Sequence, residues 1–66
     1  MFAKGDLIHV PQSTVLYGIG QNSIYVNNKP TLALFVTDAK DGLAKIVMNG
    51  KHWLVKKREI YLNQGG

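Results

Sequence analysis

Asn49-Gly50 constrains this chain more than any other pair of residues. It separates Leu43-Ala-Lys-Ile-Val-Met48 from Lys51-His-Trp-Leu-Val55, two runs of strand-forming residues. Asn followed by Gly supplies the two positive-φ positions that a two-residue type I′ hairpin requires. With a two-residue loop, Ile46 faces Trp53 and Ala44 faces Val55 on one side, while Val47 faces His52 and Lys45 faces Leu54 on the other. A bulged turn slides that register by one residue and exchanges the faces.

The rest of the chain reads the same way. Seven glycines and two prolines divide 66 residues into short pieces. No window places apolar residues at i, i+3, i+4 and i+7 over the eleven or so positions a helix needs. The expectation is an all-β fold. Residues 6–10 form a first strand that Pro11 ends, since proline brings no N–H to a ladder. Residues 12–29 make a long excursion in which residues 14–17 can pair or run extended, Gly18-Ile-Gly-Gln-Asn22 is a loop, and residues 23–26 alternate briefly before Asn27-Asn-Lys-Pro30 turns. Residues 31–37 are a nearly unbroken apolar run, expected to be buried for most of its length. Lys56-Lys57-Arg58 turns tightly, as a single 3₁₀ turn, into a last strand at 59–62.

Five strands at 6–10, 31–37, 43–48, 51–55 and 59–62, with a long loop after the first and a compact turn before the last, have the layout of a small five-stranded SH3-like barrel. It forms one domain over residues 1–62, with residues 63–66 a frayed tail. An oligonucleotide-binding barrel is the second choice, being longer and often carrying a helix. The expected core is Leu7, Ile8, Val10, Val15, Leu34, Val36, Ile46, Val47, Val55 and Ile60. It is thin, because a chain of this length buries only about 60% of its unfolded surface. With no cysteine there is neither a disulfide framework nor a thiolate zinc site, which suits a reducing cytoplasm. Met1-Phe-Ala-Lys4 leads into Gly5 and Asp6 instead of an apolar run, so no signal peptide is expected. No stretch approaches the roughly 20 apolar residues of a membrane helix.

At KGDLIHVPQSTVLY (residues 4–17) and KIVMNGKHWLVKKREIYL (residues 45–62) the chain resembles the small SH3-like proteins encoded by bacterial viruses, particularly marine cyanophages. A Gly-Asp opening strand, a Pro-Gln bend, a Gly-x-x-Trp hairpin and a terminal Ile-Tyr-Leu strand recur in them. The resemblance implies the fold, a phage origin and residence in the host-cell cytoplasm. It carries no activity and no functional residue. The chain lacks the Ala-Leu-Tyr-Asp-Tyr run and paired tryptophans of the proline-peptide-binding SH3 domains, which argues against a proline-rich ligand.

Catalytic chemistry has little to build on, and no enzyme is expected. His9 and His52 are the only bases that titrate near neutral pH, and neither has a carboxylate or nucleophile at a dyad-like spacing. Two histidines and four scattered acids make a poor metal site, and no cofactor is expected. Gly18-Ile-Gly20 lacks the third glycine, the strand and the helix of a dinucleotide fingerprint. Gly65-Gly66 lacks the basic lead-in and the β-grasp helix of a ubiquitin-like modifier.

Two binding readings are left. The excursion carries Tyr17, Ile19 and Tyr25, more apolar surface than a solvated loop needs, and these are the candidate anchors for a protein partner or a second copy of the chain. The alternative is a sequence-tolerant nucleic-acid binder. Six of the eight cations follow residue 39, against only Asp41 and Glu59 there, and Lys51, Lys56, Lys57 and Arg58 would neutralise phosphates beside Trp53, with Tyr25 and Tyr61 as further stacking platforms. Against it, Trp53 shares a strand face with Val55, which suits a core or rim side chain, and a basic turn also guards a small β-protein against edge-to-edge pairing.

Overall fold

The computed structural model describes residues 2–20 and 23–63. Seven strands form one antiparallel sheet that does not close: β1 (Leu7–Val10), β2 (Val15–Gly18), β3 (Ile24–Val26), β4 (Thr31–Asp38), β5 (Leu43–Met48), β6 (Lys51–Lys56) and β7 (Tyr61–Leu62), in the order β3-β2-β6-β5-β4-β1-β7. No helix among the described residues is long and apolar enough to cross a membrane. All-β is therefore correct, and the count of five strands is not.

The two additional strands lie in the excursion, which is a hairpin and not a loop. Val15, Leu16 and Tyr17 pair with Val26, Tyr25 and Ile24, and β2 then lies against β6 through Tyr17↔Leu54 and Gly18↔Trp53. Each segment alone is too short and too flanked by breakers to announce itself. Together they satisfy each other's backbone and roof one side of the core.

The β5–β6 hairpin has the two-residue register, with Ile46 opposite Trp53 and Val47 opposite His52. Asn49 and Gly50 hold φ of 54° and 76°, as a type I′ turn demands. A 3₁₀ turn at Lys57–Glu59 separates β6 from β7, so the last strand is shorter than residues 59–62. The first ladder runs past its strand ends, since Gly5 donates to the Phe35 carbonyl at 2.8 Å and Phe35 donates to that of Asp6 at 2.9 Å. Phe2 stacks on Phe35 with centroids 5.4 Å apart and covers that end of the core. Asn63, expected to fray, donates its N–H to the Leu7 carbonyl at 2.9 Å. The remainder of the expected frayed tail, residues 64–66, lies outside the described residues.

The core is Ile8, Val10, Leu16, Ala33, Phe35, Ala44, Ile46, Met48, Val55 and Ile60. Half of the expected core is thereby corrected: Leu7 and Leu34 are exposed, and Val15, Val36 and Val47 are only half-buried. β4 is not buried along its length. Ala33 and Phe35 point inward while Leu32 and Leu34 point to solvent, because β4 sits in a single sheet with one covered face. A bulge between Phe35 and Thr37 then shifts its register against β5.

Asn27 ties the base of the β2–β3 hairpin to the sheet and is 2% exposed. Its Nδ2 donates to the carbonyls of Val10 (3.1 Å), Pro11 (3.1 Å) and Lys29 (2.6 Å), and its Oδ1 accepts from Thr31 Oγ1 at 3.4 Å. Its backbone N–H donates to Thr14 O at 2.9 Å and its carbonyl accepts from Ser13 N–H at 2.7 Å.

Candidate functional site

Pleating decides where the candidate residues go. The hairpin register directs Trp53 to the inner face beside Ile46, and β2 brings side-chain-free Gly18 alongside it. Tyr25 lies over the indole at 5.6 Å between centroids and 37° between planes. The indole Nε1 donates to the Met48 carbonyl at 3.2 Å. Trp53 is thus a half-buried rim residue whose polar atom is already bonded, and the aromatic pair adds about 0.5–1.5 kcal/mol beyond its buried area.

Around it lies a groove of about 330 Å³ lined by Gly18, Ile19, Lys45, Lys51, His52 and Trp53. Lys51 and Trp53 come together there as the basic-patch reading requires, and Lys45 joins them. Lys56, Lys57 and Arg58 do not. They line a separate cleft of about 460 Å³ facing Asp41, Gly42 and Leu43, where Lys57 Nζ is 3.1 Å from Asp38 Oδ1. Arg58 also borders a hollow of about 250 Å³ formed with Glu59, Tyr61 and residues 11–14. The cations therefore divide between two grooves, because Lys51 and Lys56 stand at opposite ends of β6 and the 3₁₀ turn that follows keeps Lys57 and Arg58 at the Lys56 end.

The protein-binding candidates also divide. Leu16 pairs with Tyr25 and Tyr17 with Ile24, so Tyr25 shares the buried face of Leu16 while Tyr17 points outward beside Leu54. Ile19 belongs to the Trp53 groove. Tyr17, Ile19 and Tyr25 accordingly form no single patch.

A different apolar surface occupies the outer face. One row across the sheet is Leu7, Leu34 and Val47, ending at His52; the next is Tyr61, His9 and Leu32. Directly opposed side chains of this kind stand within about 5.5 Å at Cβ. Leu7, Leu34, Leu32 and Tyr61 are 40%, 45%, 51% and 58% exposed, so this face is open. Sequence reading missed it because the apolar run of β4 offers large side chains to both faces. Alternation within β4 was the available signal, with small Ala33 between Leu32 and Leu34.

Neither histidine has a carboxylate as its cross-strand neighbour: His9 lies between Leu32 and Tyr61, and His52 opposite Val47. Among the described residues no group of three or more His, Cys, Asp or Glu side chains is placed to hold a metal. Compared with protein-family models, curated proteins and solved structures, the chain matches none.

Proposed function

We propose that this chain is a non-enzymatic, SH3-like binding module that engages a protein partner through the outer face of β7, β1, β4 and β5. The observation that carries the reading is the apolar face formed by Leu7, Leu32, Leu34, Val47 and Tyr61, with His9 between Leu32 and Tyr61, His52 at its margin and Lys45 the one β5 charge beside it. Contiguous exposed apolar surface of this kind marks interaction sites, and desolvating it favours an apolar protein surface over a phosphate backbone. The SH3-like assignment is supported by the 3₁₀ turn before the last strand, by β1 lying between β4 and β7, and by the excursion folding back on β6. Together with the resemblance in residues 4–17 and 45–62, this favours a phage-encoded protein of the host-cell cytoplasm.

The test is affinity capture in parallel with Leu34→Lys, Lys56→Glu/Lys57→Glu and the unaltered chain, followed by reconstitution with the purified partner. Leu34 is exposed, so Leu34→Lys should leave the fold intact and abolish the interaction, while the charge-reversed chain retains it. Retention by Leu34→Lys would sink the reading.

A second reading has its own observation, the meeting of Lys45, Lys51 and His52 with Trp53 in one groove. There the chain would hold single-stranded nucleic acid by phosphate neutralisation and stacking at the exposed part of the indole. Amide shifts at residues 45–53 on adding short single-stranded DNA, weakening steeply with salt, would support it.

A further inference from the structure

The sheet has two open ends, and they are unlike. β7 offers only Tyr61 and Leu62 beside charged Arg58 and Glu59. β3 offers Ile24, Tyr25 and Val26, with no charge, proline or bulge among them, so of the usual devices that blunt an edge only its shortness is present. Ser23 and Asn27 bond toward β2, through Gly18 N–H to Ser23 O at 2.8 Å and Asn27 N–H to Thr14 O at 2.9 Å. Backbone direction alternates along an antiparallel ladder, so the N–H and C=O groups of Ile24 and Val26 point away from β2 to the open edge. No strand lies beyond them among the described residues. Their side chains are also exposed, at 67% and 54%.

We infer that β3 pairs antiparallel with β3 of a second copy, about a two-fold axis through Tyr25. That register sets Ile24 opposite Val26 of the partner copy and Tyr25 opposite its own equivalent. The outward groups then exchange four backbone hydrogen bonds, two from each Ile24–Val26 pair, and the interface closes on itself as a dimer. The apolar row of Val15, Tyr17, Ile24 and Val26 continues across the axis on the outer face.

Charge selects a second copy as the occupant. The chain carries +4, and residues 10–28 contain no Asp, Glu, Lys or Arg, while all twelve charged residues lie in 4–6 and 29–59. Two identical cationic molecules meet without like-charge opposition on this side. An acidic partner would have nothing to pair with at this edge. The interface is independent of the outer-face reading above and uses different residues from Leu7, Leu32 and Leu34.

Sedimentation equilibrium from about 10 µM to 1 mM tests the inference, and a reversible rise from one chain mass toward two is expected for an association this small. In the dimer the Ile24 and Val26 amides become protected from exchange. A mixture of labelled and unlabelled chains should show an intermolecular Hα–Hα contact at Tyr25, the non-hydrogen-bonded position. Ile24→Lys should weaken association at least tenfold, about 1.4 kcal/mol. Val26→Pro removes one outward donor while sparing the bonds to β2 and should do the same without adding charge. Leu34→Lys should leave association unchanged. A chain that stays monomeric at about 1 mM overturns the inference and leaves the edge to a strand from another protein. So does a dimer untouched by both β3 variants, or growth beyond two chains, which would mark a head-to-tail β3–β7 contact.

Discussion

Asn27→Ala should unfasten the β2–β3 hairpin, and the cost can be worked from its contacts. The side-chain amide has two hydrogens and three carbonyl acceptors, on Val10, Pro11 and Lys29. Truncation takes from the buried Val10 carbonyl its side-chain partner and leaves it the ladder bond to Thr31, which costs about 0.5–1.5 kcal/mol. The other two bonds are only part-buried, so water replaces much of what they lose, and together they add about 1 kcal/mol. The total is about 1.5–2.5 kcal/mol, a fall in Tm of about 6–20 °C for a domain this small. Urea unfolding followed through Trp53 fluorescence, paired with thermal circular dichroism, measures it. Asn27→Asp sharpens the test, since it keeps the shape and turns an acceptor toward carbonyl oxygens. That environment raises the folded-state carboxyl pKa above its unfolded value of about 3.9, so the folded chain binds more protons and stability falls as pH rises. Relative to the unaltered chain, Asn27→Asp should be weaker at pH 7 than at pH 4. A loss below about 1 kcal/mol for Asn27→Ala, or no pH dependence for Asn27→Asp, would refute the assignment of Asn27 as the fastening residue.

Other substitutions test separate parts of the structure. Ile46→Ala empties a fully buried site between Phe35 and Trp53 and should cost about 2–5 kcal/mol in urea unfolding. Gly50→Ala places a Cβ at φ 76° and should cost about 1–2 kcal/mol, with Lys51→Ala near neutral as control. Trp53→Phe keeps the ring against Tyr25 and removes the donor to Met48 O, for a loss of about 0.5–1.5 kcal/mol in chemical unfolding. Asp38→Asn breaks a partly solvated pair with Lys57, and its effect should stay below about 1 kcal/mol and shrink further in high salt.

What the sequence determined by itself was local. Asn49-Gly50 admits one tight hairpin because few dipeptides hold two positive φ angles, and the pairing of Ile46 with Trp53 follows from that turn. The 3₁₀ turn after Lys56 and the strand-breaking prolines at 11 and 30 are legible for the same reason: each acts through its own backbone. Tertiary structure decided which face each strand buries. In Leu32-Ala33-Leu34-Phe35 both alternations are apolar, and only pairing with Ile8 and Ile46 turns Ala33 and Phe35 inward, leaving the leucines exposed. It also separated Tyr17 from Tyr25 and Lys51 from Lys56, Lys57 and Arg58, because residues close in sequence diverge when the chain pleats or turns. Asn27 reads as a turn residue until Val10, seventeen positions earlier, brings it a carbonyl. Contacts of that kind belong to the assembled sheet, since no short segment contains both partners.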